Sequence, residues 1–270
     1  MKQKTIKAPC SLSGIGIHSG NPVHLRLVPA PENTGLVFIR TDQHNTAVPA
    51  SLDTLYSTPR ATLLKKGAIL IKTPEHLFAA LHILEIDNLF IEMDSDEVPI
   101  LDGSAIEFIH AIKKIGIQTL PADVKPIQLQ HPIIIEDKEK SILAFPSKRI
   151  QFSYYLSPPK DFISPQLVSV CEPRSDWERT IASARTFGLL SEVEALKKKG
   201  LALGGSLDNA LVIDETTYLN PPRYPDELAK HKLLDLVGDC WLLSRPILAH
   251  IIGIRSGHAL TAQFLKQLAT

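Results

Sequence analysis

His231, Asp235 and Asp239 stand one helical turn apart from one another in the apolar stretch 224–243, so a helix there sets all three on one face. An imidazole and a carboxylate at that spacing can reach a common point, as a divalent cation requires of its ligands, and no thiolate competes in the row. Apolar residues from Leu228 to Leu243 cover most of the remaining circumference, which predicts a helix buried nearly all round. His231, Lys232, Asp235 and Asp239 would then be costly without partners, and a bound cation satisfies several of them together. A hydrolytic zinc takes three protein ligands and keeps a position open, so His231 and Asp235 need a third. His76 is the candidate. Thr73 reads as an N-cap and Pro74 as the first helical residue, which places Glu75 and His76 in a first turn, where the helix dipole favours a neutral imidazole. Glu75 then offers a carboxylate to deprotonate water beside the metal.

The elements that must carry these residues are legible from periodicity. Residues 23–28 alternate and 35–40 are apolar between turn residues, so both read as strands. Leu77, Phe78, Leu81 and Leu84 repeat at helical spacing, 88–93 reads as a strand, and the acidic loop 94–103 follows, its residues 94–97 reading as exposed. Ser104 with Glu107 forms a capping box for a helix over 105–114. Residues 118–126, with two prolines, read as a linker dividing a domain 1–120 from a domain 127–270. Strands at 133–135 and 150–156 and a helix over 191–199 follow, and Asp208-Asn209 before an apolar run echoes Asp87-Asn88. The expected fold is α+β: two similar domains, each a β-sheet layer with two helices, packed face to face with the site between them.

Composition removes other classes. Lys plus Arg and Asp plus Glu both number 29, so no net field draws the chain to nucleic acid or to an anionic membrane. Cys10, Cys171 and Cys240 are scattered without a CxxC motif, which points to reduced thiols and a cytoplasmic protein. No apolar stretch follows the basic residues 1–7, and no stable membrane insertion is expected.

The chain also resembles a known family. Thr73-Pro-Glu-His-Leu-Phe-Ala-Ala-Leu81, Pro99-Ile-Leu-Asp-Gly-Ser-Ala105, Ala184-Arg-Thr-Phe-Gly188, Gly204-Gly-Ser-Leu-Asp-Asn-Ala210, His231-Lys-Leu-Leu-Asp235 with Gly238-Asp239, and Ser256-Gly-His-Ala-Leu260 are similar, in this order, to UDP-3-O-acyl-N-acetylglucosamine deacetylases. The resemblance runs from Gly14 almost to the end; residues 56–60 match less well. It implies a zinc enzyme of lipid A biosynthesis that removes acetate from the acylated UDP-amino sugar. By matching motifs, His76, His231 and Asp235 hold zinc, with Fe2+ as the rival metal, and Glu75 activates water. His258 protonates the leaving amine and pairs with Asp239, while Lys232 and Thr186 stabilise the oxyanion or position substrate. An insert at about 187–215 supplies an acyl passage, for which Phe187, Leu189, Leu190, Val193, Leu196, Leu201 and Leu203 are candidate walls. Phe152 or Tyr154 is a candidate to stack on uracil. The expected partner is a small-molecule substrate, and the expected state a monomer.

Two other readings stay open: a non-catalytic binding module of the same fold, and a zinc amidohydrolase acting on another acetamido sugar nucleotide. Single residues have plainer readings too. Lys232 with Asp239 suits a buried ion pair, 197–199 a solvated helix end, and Gly204-Gly205 a tight turn, since the P-loop lysine is missing.

Overall fold

The structure is a computed structural model that describes residues 1–57, 60–158 and 160–268, so Thr58 and Pro59 of the poorly matching segment 56–60 lie outside the described residues. In the first half, strands β1 (Cys10–Ile15), β2 (Pro22–Pro29), β3 (Leu36–Arg40) and β4 (Thr46–Pro49) precede helix α1 (Glu75–Leu84), strand β5 (Leu89–Met93) and helix α2 (Ile106–Ile115). The sheet order is β1-β2-β5-β3-β4: the last strand in sequence inserts at the centre, parallel to β3 and antiparallel to β2.

The second half repeats the plan. Strands β6 (Ile133–Asp137), β7 (Lys140–Pro146), β8 (Gln151–Leu156) and β9 (Gln166–Cys171) are followed by helices α3 (Ser175–Ile181), α4 (Leu190–Lys198) and α5 (Glu227–Cys240), strand β10 (Ile247–Ile254) and helix α6 (His258–Leu268). Its order is β6-β7-β10-β8-β9, with β10 central, parallel to β8 and antiparallel to β7; Ile127–Gln128 adds a short strand beside β10. The two sheets therefore share one topology. The counterpart of β5 is β10. The run at Asp208-Asn209 leads instead into Leu211–Ile213, which pairs with Phe187–Leu189 in a separate two-stranded ribbon, so the Asp-Asn echo is not the internal repeat.

Each sheet turns one face inward. In β2, Val23, Leu25 and Leu27 are buried while His24 and Arg26 point out, the alternation of a half-covered antiparallel strand. The helices fill the space between the sheets, and the main hydrophobic core runs through Leu25, Phe38, Phe78, Leu234, Phe152 and Ile251, with a smaller cluster at Ile163, Leu211, Ile213 and Leu228. All ten residues of α1 are buried, and in α5 only Lys230 and Lys232 keep partial exposure. The two helices meet closely at Gly238: a Cβ there would lie 2.1 Å from the Glu75 carbonyl oxygen and 3.0 Å from the Ala79 nitrogen. His82 Nδ1 adds a bond of 2.8 Å to the Val237 carbonyl. No helix among the described residues is long and apolar enough to cross a membrane.

Several local expectations are corrected. Thr73 does not cap α1; its backbone has φ 55° and its hydroxyl donates to Glu97 at 3.1 Å, leaving Pro74 at the cap position without a side-chain bond. The Ser104–Glu107 capping box does not form, because the Ser104 amide and hydroxyl both donate to Asp102, at 3.0 and 2.8 Å. The linker region is partly a strand: Ile117–Asp123 pairs antiparallel with Lys2–Ile6. In the acidic loop Glu97 is fully buried rather than exposed.

Gly238→Ala is expected to lower stability by roughly 1–3 kcal/mol through overpacking, read as a lower thermal midpoint, because neither backbone atom facing the new methyl can move cheaply.

Candidate metal centre and active site

α1 and α5, locked at Gly238, bring their polar residues to one place. The ligating atoms of His76, His231 and Asp235 all lie within 4.8 Å of one another, and all three residues are buried. Asp235 Oδ1 lies 3.6 Å from His76 Nε2 and 3.3 Å from His231 Nε2, and it accepts no hydrogen bond. The other oxygen of Asp235 takes the Lys232 ammonium at 2.7 Å. His231 Nδ1 donates to the Ala184 carbonyl at 3.0 Å, which leaves the Nε2 lone pair facing the carboxylate. Burial, eased by Asp235 and deepened by His76 and Lys232, pushes the His231 pKa down to about 3, so this ring is neutral. A lone pair thus opposes a partnerless carboxylate oxygen in a buried pocket, an arrangement that a divalent cation relieves. The donor set fits such an ion.

Beside the cluster stands a second group. His258, first residue of α6, donates from Nδ1 to Asp239 Oδ2 at 2.8 Å, and its Nε2 lies 3.8 Å from Glu75 Oε1 and from Asp235 Oδ2. Burial alone would lower the His258 pKa, but Asp239, then Glu75, outweigh it and raise it to about 9, so the ring is an imidazolium at neutral pH. Burial raises Glu75 to about 7, against the pull of His258 and His76. For Asp235, burial is overcome by the Lys232 ammonium bonded to it, and its pKa lies well below the usual carboxylate range. Lys232 is raised, because Asp235 outweighs its desolvation.

The cluster opens into a cavity of about 650 Å³. Glu75, His76, His231, Lys232, Asp235 and His258 line it, as do Thr186 and Phe187; Leu189, Leu190, Val193 and Leu196 of the insert form an apolar wall. Thr186 is fixed by its amide, which donates to the Gly103 carbonyl at 2.8 Å. The Phe187 ring lies 5.6 Å under the Lys232 ammonium. Asp239 does not pair with Lys232, whose partner is Asp235.

Two expected stacking residues and two expected wall residues are corrected. Phe152 is fully buried, edge-on to His82 and Trp177, and has no face for a nucleobase. Tyr154 is equally enclosed, its hydroxyl donating to the Ser256 carbonyl. Leu201 and Leu203 do not line the cavity; the Leu201 amide folds back to the Leu196 carbonyl after α4, and Ala202 and Leu207 supply the wall instead.

Sequence reasoning missed other participants. The Thr62 hydroxyl donates to Asp239 Oδ1 at 2.5 Å and its amide to Glu75 Oε2 at 3.2 Å, so one residue orients both carboxylates. It belongs to the strand Thr62–Lys66, which no motif marks. The Ala184 carbonyl is backbone and invisible to a search by residue type. Arg185 and Glu227 form a buried pair, Nε to Oε1 at 2.9 Å and a terminal nitrogen to Oε2 at 3.2 Å, which pins the segment carrying Ala184, Thr186 and Phe187 to the start of α5. His18, Arg60 and Lys140 also line the cavity.

A buried donor cluster that fits a cation, with a carboxylate on one side and a charged imidazole on the other, is the kind of arrangement that metal-dependent hydrolases use. The family model described as UDP-3-O-acyl N-acetylglycosamine deacetylase matches residues 3–270, and the chain belongs to that family. It is therefore a deacetylase, a hydrolase acting on an amide. It is 40% identical over 277 residues to the UDP-3-O-acyl-N-acetylglucosamine deacetylase of Coxiella burnetii (strain Dugway 5J108-111), covering 99% of this chain and 90% of the relative. The protein of the same name from Thermodesulfovibrio yellowstonii is 42% identical over 267 residues, covering 98% and 91%, and that of Leptospira biflexa 41% over 267 residues, covering 98% and 88%.

If the His76, His231 and Asp235 cluster holds a divalent cation, His231→Ala is expected to abolish stoichiometric metal binding while the fold persists. Metal content after dialysis, with circular dichroism alongside, checks this; retained stoichiometric metal would move the site elsewhere.

Proposed function

We propose that this protein hydrolyses the acetamide of UDP-3-O-acyl-N-acetylglucosamine to the free amine and acetate, a step of lipid A biosynthesis, with zinc held by His76, His231 and Asp235. The observation that carries the reading is the junction of the three-ligand cluster, Glu75 and the His258–Asp239 pair with one apolar-walled cavity. A charged centre answers the amide, and the wall of α4 answers an acyl chain. In this reading residues 1–120 and 127–270 are two structural halves with the site where they meet.

A divalent cation in the site supplies Lewis acidity toward the amide carbonyl and the attacking water. Glu75 takes the proton of that water on Oε1, since Oε2 is occupied by the Thr62 amide. The new C–O bond places negative charge on the former carbonyl oxygen, and the Lys232 ammonium and the Thr186 hydroxyl stabilise it. The C–N bond then breaks as His258 Nε2 gives its proton to the departing nitrogen. An unprotonated amine leaves poorly, so the acid is needed. Asp239 holds Nδ1 and keeps the ring charged, and Glu75, 3.8 Å from Nε2, returns the proton at the end of the cycle.

Acetate release from the acylated UDP-amino sugar, measured after chelation and after restoring Zn2+ or Fe2+ separately, tests the function and the metal. Inactivity of folded, metal-loaded protein would overturn the substrate. Glu75→Gln and His258→Ala are each expected to lower kcat about 10²–10⁴-fold with little change in KM; an unimpaired His258→Ala enzyme would leave Glu75 handling both protons. Because His258 must be charged to act, activity falls as pH rises through about 9. Asp239→Asn removes the main cause of that high value, so the alkaline limb of the rate profile is expected to move to lower pH; an unmoved limb would assign it to another group.

A further inference from the structure

Among the buried carboxylates that take no part in this chemistry, Glu97 stands beside the cavity wall. Glu97 is fully enclosed, and it accepts the amides of His18 at 2.9 Å and Ser19 at 2.8 Å and the hydroxyl of Thr73 at 3.1 Å. It thereby replaces water for a loop that cannot otherwise satisfy its amides. The loop 16–20 closes tightly around it: the Gly16 amide donates to Asn21 at 3.0 Å and the Gly20 amide to Gly16 at 2.9 Å. A Cβ on Gly16 would lie 2.2 Å from Glu97 Oε2, so the carboxylate fills the place of a side chain.

The other edge of this loop reaches across to the second half. Leu203 donates to the His18 carbonyl at 3.1 Å and Gly204 to the Ile17 carbonyl at 3.0 Å. The approach is close enough that a Cβ on Gly204 would sit 2.3 Å from the Gly16 oxygen. Ile17 and His18 on one side of this backbone clasp, and Ala202 and Gly205 on the other, line the cavity. The clasp joins the first half to the insert that also carries α4, so its position sets how far the apolar wall stands from the opposite side.

Resting on the proposed function, we propose that Glu97 is a positioning residue for acyl-chain selection: it holds the 16–20 loop, the loop holds 202–204, and the pair fixes the wall against which the acyl chain packs. Glu97 touches no substrate. Its effect belongs to KM and to chain-length preference, not to the proton transfers.

The test compares long-chain and short-chain UDP-3-O-acyl-N-acetylglucosamine as substrates of the metal-loaded wild type, Glu97→Gln, Gly204→Ala and Thr73→Val. Glu97→Gln and Gly204→Ala are each expected to lower the long-to-short ratio of kcat/KM about tenfold, mainly through KM, with kcat within about twofold and metal content unchanged. Thr73→Val, which removes the hydroxyl bond to Glu97 and keeps a side chain of the same size where Thr73 lines the cavity, is expected to keep the ratio. An unchanged ratio in Glu97→Gln and Gly204→Ala, or an equal loss of kcat for both chain lengths, overturns the proposal. Hydrogen exchange separates this failure from failure of the substrate reading: if the wild type hydrolyses neither compound, the function is wrong. In that case loss of amide protection at 203–204 in Glu97→Gln still supports the clasp, and unchanged protection refutes it.

Discussion

The backbone contact between α1 and α5 at Gly238 is the constraint on which the active centre depends. α1 brings Glu75 and His76, α5 brings His231, Lys232, Asp235 and Asp239, and each set is incomplete without the other. With any side chain at the crossing the helices would stand further apart, and a ligand cluster spanning less than 5 Å tolerates little of that. The two sheets, built to one topology, act as opposed walls that press the helices together. α6 then starts so that its first residue, His258, faces the same point.

Around that point each carboxylate is divided between two duties. Asp235 gives one oxygen to Lys232 and leaves the other without a hydrogen bond. Asp239 gives one to Thr62 and one to His258, and Glu75 gives one to the Thr62 amide and turns the other toward the reaction space. This partition keeps four buried ionisable groups from quenching one another. An imidazolium and a base with a pKa near neutrality coexist less than 4 Å apart because their remaining partners differ.

The cluster is legible in the sequence where it rests on side chains at helical spacing. His231 and Asp235 follow from a period of four, and His76 with Glu75 from a helix start, although the cap expected of Thr73 is absent because Glu97 claims its hydroxyl. Strands β2, β3 and β5 were equally plain, since alternation or an apolar run reports a face. What stayed hidden depends on partners distant in the chain. Thr62 sits in an unremarkable strand, and Ala184 acts through its carbonyl. Glu97 looks like one more acid in an acidic loop until the amides of His18 and Ser19 are seen to converge on it. Phe152 misled because aromatic residues in strands pack inward far more often than they meet ligands. The internal repeat lies in the matching sheet orders, with β5 and β10 central, and not in the Asp-Asn echo, because order in a sheet is not order in sequence.

The insert helix α4 has no buried residue, although Leu190, Val193 and Leu196 form an apolar stripe along it. A short helix of this kind lacks the tertiary packing that normally supports one in water. Under the proposed function, an aliphatic chain in the cavity would provide that packing, and the ligand would serve as the missing part of a small core. Binding then becomes partly a folding event, with the negative heat-capacity change of apolar burial and an entropic cost of ordering the helix. Affinity for the chain and local stability of the insert are, on this view, two readings of one equilibrium.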